Sequence, residues 1–136
     1  FANRIDHKDS KFESILEAEL SALQLKHQTG FVIRLHVLGD FYSVKYVNFW
    51  RSQLKKHPNL RIFGYTHRTK LSAIGKSVLG LNEAGAWIRW SDEGGLMSAN
   101  VNGEGITCPE QTGKTASCLT CGLCWSTPKA INFLGH

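Results

Sequence analysis

Between residues 31 and 66 the apolar pattern changes period twice, and few folds accommodate such a change. In residues 31–37, Phe31, Ile33, Leu35 and Val37 alternate with Val32, Arg34 and His36, the two-residue period of a strand. Over residues 43–56 the apolar side chains Val44, Val47, Trp50 and Leu54 recur every three or four positions. That is a helix, with Ser43 placed to cap it and His57-Pro58-Asn59 to stop it. Residues 60–66, Leu-Arg-Ile-Phe-Gly-Tyr-Thr, return to strand character. Strand, helix and strand in this order predict a right-handed crossover and a parallel pair.

The rest of the chain extends this theme. Residues 9–27 read as a helix, with Ser10 and Glu13 at capping-box spacing and Phe12, Ile15, Leu16, Leu20 and Leu23 on one face. Gly30 is placed as its left-handed stop. A weaker helix over 69–82 is interrupted by Gly75 and Gly80. Residues 86–90 read as a third strand, Glu93-Gly94-Gly95 as a turn, 96–101 as a short strand and 131–134 as a terminal one. The expected class is α/β: a partly parallel sheet with crossover helices, either a partial barrel or an open sheet, followed by a cysteine-rich metal or cluster loop. A chain of 136 residues suits one domain, divided into an α/β core over 1–102 and a cysteine-rich segment over 103–136. Its 42% apolar and 20% charged residues exclude wholesale disorder. No apolar run reaches the ~20 residues of a membrane span, and no signal-peptide pattern opens the chain. The first residue is Phe1 and the only methionine is Met97, so the start reads as trimmed.

All four cysteines fall within residues 108–124, spaced Cys108-x9-Cys118-x2-Cys121-x2-Cys124. A disulfide framework distributes its cysteines to join distant loops. Four in one short window read instead as a metal or cluster site in a reducing compartment, the cytoplasm. Four thiolates satisfy a [4Fe–4S] cluster or a tetrahedral Zn²⁺. The run of three at x2 spacing leans toward iron–sulfur, because structural zinc more often uses two separate C-x2-C knuckles. Gly122 suits the tight turn this needs. His136 is a further candidate ligand, although a terminal histidine is more often simply exposed.

In a parallel sheet, ligands bind at the carboxyl ends of the strands. Each expected strand there leads into polar residues: Asp40 after the first, His67 and Arg68 after the second, Asp92 after the third. These four could face a common cleft as candidate catalytic groups. Asp40 could equally cap the following helix, and His36 reads better as a hydrogen-bonded core histidine. The aromatic residues read as core rather than as a base-stacking platform. A net charge of +5 permits nucleic acid as a partner. Only Lys55-Lys56-His57 and His67-Arg68-Thr69-Lys70 are clustered, however, and an ordinary solvated basic surface explains that charge as well. Any such binding would weaken steeply with salt.

The stretch His36-Val37-Leu38-Gly39-Asp40-Phe41-Tyr42-Ser43, followed by Tyr46-Val47-Asn48-Phe49-Trp50, resembles the H-x-x-G-D-F-[YF]-S…Y-x-x-x-W signature of the phage "gene product 88" domain family. Arg61-Ile62-Phe63-Gly64-Tyr65-Thr66 is similar to that family's R-F-x-x-Y-T strand. The tail Cys108-Pro109…Cys118-Leu119-Thr120-Cys121-Gly122-Leu123-Cys124-Trp125…Ile131-Asn132-Phe133…His136 resembles its cysteine motif. The likeness covers roughly residues 31–136. The family's upstream C-x-x-x-C-Y-A segment has no counterpart here. The resemblance implies kinship with barrel-type α/β proteins carrying iron–sulfur centres, somewhat like radical-SAM relatives. The C-x-x-x-C-x-x-C signature of those enzymes is absent from this sequence, so their radical chemistry does not carry over. What carries over is a phage or mobile-element origin and a cysteine-bound centre.

Three functions follow as expectations. One is an accessory protein holding an iron–sulfur cluster or zinc through Cys108, Cys118, Cys121 and Cys124, acting on or near nucleic acid in the host cytoplasm. The second is a small enzyme using Asp40, His67, Arg68 and Asp92, its metal being structural. The third is a module that binds and blocks a host protein.

Overall fold

The structure of the protein, a computed structural model, describes residues 11–35, 40–92, 96–101, 103, 105–114 and 122–134. The elements in chain order are α1 (Phe12–Lys26), β1 (Phe31–Leu35), α2 (Val44–Lys56), β2 (Leu60–Thr66), α3 (Ala73–Glu83), β3 (Trp87–Ser91), β4 (Ser98–Val101), β5 (Ile106–Thr107), a 3₁₀ turn over Leu123–Trp125 and β6 (Ile131–Phe133). The six strands form one open sheet in the order β1-β2-β3-β4-β6-β5. Every pairing is parallel, so the sheet is parallel throughout rather than in part. The segment after residue 103, read as loop until its last strand, contributes β5 as well as β6, and β6 inserts between β4 and β5. β5 has two residues, too few to show any period in the sequence.

Residues paired across a parallel ladder share a face. The set Leu35, Ile62, Ile88 and Trp90 lies on one side, and the register places Phe63, Tyr65, Arg89 and Ser91 on the other. The first set packs against Leu20 of α1, Tyr46, Val47 and Trp50 of α2, and Val78 and Leu81 of α3 to form the core. Two successive crossovers in the same direction place their helices on one face, which accounts for this one-sided layering. The opposite face is covered by the chain beyond β5. Trp125 stacks against Phe63 with 4.8 Å between ring centroids.

Local chemistry decides the element ends. Ser43 caps α2 by accepting from the Tyr46 N–H at 3.1 Å, as the sequence predicts. Val44, expected to point inward, is exposed, while Tyr46, Phe49 and Gln53 join Val47 and Trp50 inside. α1 begins at Phe12 with Lys11 in the cap position and no side-chain cap bond; Ser10 lies outside the described residues. His36 and Gly39 do too. β3 and β4 are parallel although only residues 92–97 join them, half the usual length of a parallel connection. Asp92 and Met97, both at φ 57°, make the two sharp bends this requires.

α3 runs through both glycines that the sequence marks as interruptions. Gly75 is needed for close approach: a Cβ there would lie 1.8 Å from the Thr69 carbonyl oxygen. Gly80 is different, since a Cβ there would meet only the flexible Arg51 guanidinium at 3.4 Å. Gly75→Ala is therefore expected to destabilise the fold by ~2 kcal/mol or more, as overpacking against backbone does. Gly80→Ala is expected to stabilise it by ~0.5–1 kcal/mol through helix propensity. Urea midpoints of the two variants should move in opposite directions.

Candidate thiolate and ligand site

The face of the sheet opposite α1, α2 and α3 carries the candidate site. Cys108 follows β5 and is buried, its N–H bonded to the Asn132 carbonyl of β6 at 2.8 Å. Cys124 sits in the 3₁₀ turn that follows Gly122, whose φ of 63° is the left-handed conformation glycine tolerates best. Neither sulfur is in a disulfide. Both line one cavity of about 250 Å³, floored by Phe63, Tyr65, Ile131 and Phe133 of the sheet and roofed by Leu123 and Trp125. Cys118 and Cys121 lie outside the described residues, as does His136. No group of three metal-ligating side chains occurs among the described residues.

Two side chains surround Cys124 in a way the sequence did not foretell. The Tyr65 hydroxyl lies 3.0 Å from the Cys124 sulfur. Burial, the neighbouring sulfur and this hydrogen bond all push the Tyr65 phenol upward, out of the ordinary tyrosine range; either the hydroxyl or the thiol can be the donor between them. Arg89 of β3 is fully buried. Its guanidinium donates to the carbonyls of Lys129 (2.8 Å), Leu123 (3.2 Å) and Thr127, and its Nε has no partner. Burial lowers the Arg89 pKa, while Cys124 and Tyr65 raise it in part. A guanidinium keeps its charge in proteins even so. No ion pair of Arg89 occurs among the described residues. Three carbonyls thus hold a buried cation, and that cation ties the cysteine turn to the sheet.

The polar groups at the strand ends divide into two sets. Asp40 does not cap α2. Its Oδ1 accepts from the Phe41 N–H (2.7 Å) and the buried Thr66 hydroxyl (2.7 Å), and its Oδ2 from the His67 N–H (2.8 Å). Arg68 donates through Nε to the Phe41 carbonyl at 2.8 Å. Asp40 and Arg68 together clamp the segment leaving β1 onto the end of β2. His67 and Asp92 instead line a second cavity, of about 230 Å³, whose wall includes Arg34, Tyr65, Ser91 and Phe133. Arg34, Tyr65 and Phe133 belong to both cavities, so the two adjoin across one row of sheet side chains. The Arg34 guanidinium stands over the Tyr65 ring, 5.4 Å from its centroid.

The two basic clusters of the sequence are engaged in internal contacts. His57 is buried and bonded to Gln53. Lys56 pairs with Glu17 at 2.7 Å. Lys70 stands over the Trp90 ring, 5.5 Å from its centroid.

Removing the Asp40 carboxylate leaves three donors unserved, one of them on a buried hydroxyl. Asp40→Ala is expected to cost ~2–4 kcal/mol, dominated by the buried Thr66 hydroxyl losing a charged acceptor worth ~1.5–3 kcal/mol, because the exposed His67 N–H can turn to water. Asp40→Asn should recover only part of that, because its amide presents a donor to one of the three. Thermal and urea unfolding of both variants measure this.

No curated protein and no solved structure matches the chain, and among the described residues no helix is long and apolar enough to cross a membrane. A family model, described as gene product 88, matches residues 3–80. The match takes in α1 to β2 with the Asp40 clamp and ends within α3; it begins well before residue 31 and stops short of the cysteines. Because it covers more than half the sequence, the chain belongs to the gene product 88 family of phage-type domains.

Proposed function

We propose that this gene product 88 domain is a phage or mobile-element accessory protein that holds a metal centre through Cys108, Cys118, Cys121 and Cys124, and that the centre is a [4Fe–4S] cluster. The observation that carries the reading is that Cys108 and Cys124, from separate segments, both stand on the wall of one cavity. The surroundings support it. A thiolate, not a thiol, ligates metal. A Cys124 thiolate would accept from the Tyr65 hydroxyl, 3.0 Å away, and would stand near the buried Arg89 cation. A four-thiolate centre carries net negative charge, and Arg89 supplies a counter-charge that no carboxylate among the described residues neutralises. The three cysteines at x2 spacing, Cys118, Cys121 and Cys124, favour a cluster over a zinc ion.

A second reading, a small enzyme with a structural centre, draws its support from the adjoining cleft lined by His67 and Asp92.

Protein purified without oxygen should be brown, absorb broadly near ~400 nm and contain about four irons per chain. Cys108→Ser and Cys124→Ser should each lower metal content and increase proteolysis after about residue 103, since metal–thiolate bonds in comparable sites contribute ~10 kcal/mol or more to order. A colourless protein with one zinc per chain would keep the ligands and replace the cluster. Protein with neither metal, or variants that retain full metal content, would overturn the proposal.

A further inference from the structure

The second cavity points to a ligand of its own. It opens at the carboxyl ends of β2, β3 and β4, where parallel sheets bind small molecules. Its walls carry opposite charges that do not pair with each other among the described residues: Arg34 on one side and Asp92 on the other. Each is held apart by a different contact. Arg34 stands over the Tyr65 ring at 5.4 Å. Asp92 accepts from the Val101 N–H at 3.0 Å through Oδ1 and sits in a left-handed backbone conformation at φ 57°. A purely anionic ligand would meet the Asp92 carboxylate, and a purely cationic one the Arg34 guanidinium. A molecule with an acid group and an amine meets neither conflict.

We infer that this cleft binds a small zwitterion of the amino-acid type, its carboxylate on Arg34 and its ammonium on Asp92. Ser91 and His67 border the polar end. Tyr65 and Phe133 give an apolar wall for the carbon skeleton. A volume of about 230 Å³ suits a single amino acid and falls below the ~300–1,000 Å³ usual for larger ligands and cofactors. The inference does not rest on the thiolate centre, because neither cysteine lines this cleft.

The test uses the full chain as purified, whatever its metal content. Thermal shift and titration calorimetry are run with each of the common free L-amino acids, up to about 10 mM, which detects millimolar affinity. The best binder is then compared with the amine lacking its carboxylate and the acid lacking its amine. At least one amino acid should bind, and both truncated analogues should bind roughly tenfold or more weakly, the usual effect of losing a charge-assisted hydrogen bond. Arg34→Gln and Asp92→Asn should each weaken binding by a similar factor, with Arg34→Lys recovering part of it. Asp92→Asn keeps the acceptor for Val101 and tolerates the left-handed backbone, and circular dichroism confirms that each variant is folded. No binding by any amino acid overturns the inference. So does binding that both variants leave unchanged, or an acid lacking the amine that binds as well as the parent, which would make the cleft a simple anion site.

Discussion

A parallel sheet has to be covered on both faces, because its strands are joined by crossovers rather than hairpins and bury both sides. In this chain the crossovers α2 and α3 lie on one side, with α1, and form the apolar core there. The other side needs a different cover, and the chain beyond β5 supplies it. That requirement places the cysteine segment over Phe63, Tyr65 and Arg89, and it leaves two cavities where the cover is incomplete. The site is a consequence of one-sided layering.

The cover presents the carbonyls of Leu123, Thr127 and Lys129 to the sheet, and this explains Arg89. Loop carbonyls laid against a sheet need donors. A single guanidinium supplies them to Leu123, Thr127 and Lys129 at once. Burying a cation is costly unless its surroundings compensate. The carbonyls do so in part, and the Cys124 sulfur and the Tyr65 phenol are nearby groups able to become anions. Structure and chemistry therefore meet in one residue: the group that fastens the loop also sets the electrostatics of its sulfur.

The sequence revealed the elements whose burial pattern is local. The alternation over 31–35 and 60–66, the Ser43 cap and the crossover between them all follow from neighbours along the chain, and the structure has them. It did not reveal what depends on distant segments. Alternation in Trp87-Ile88-Arg89-Trp90 assigns Arg89 to solvent, and only a segment more than thirty residues later buries it. A charged residue between Ile88 and Trp90 on a strand was the available signal, and it becomes informative once that strand is central in the sheet. β5 is defined by its pairing with β6 alone. Gly75 reads as a helix breaker until the Thr69 carbonyl is seen against it. Asp40 shows the converse. With Ser43 already capping α2, its carboxylate is available for Thr66 and His67, a division of labour that the three-residue separation of Asp40 and Ser43 permits.

Tyr65 joins the two halves of the site, and its position explains why they adjoin. It lies on β2, paired in register with Arg89 of β3 and two residues beyond Phe63, the partner of Arg34 of β1, so a cation stands on each side of it. Its ring face takes the Arg34 guanidinium, an attraction that strengthens as water is removed. Its edge meets Phe133, with 5.6 Å between centroids, and its hydroxyl reaches Cys124. A phenylalanine at this position would keep the ring and its contacts with Arg34 and Phe133. It would lose the hydroxyl that lies 3.0 Å from the Cys124 sulfur. The aromatic ring thus serves the polar cleft and the hydroxyl serves the cysteine cavity. One tyrosine in the Gly64-Tyr65-Thr66 run is sufficient for both because its side chain lines the two cavities at once.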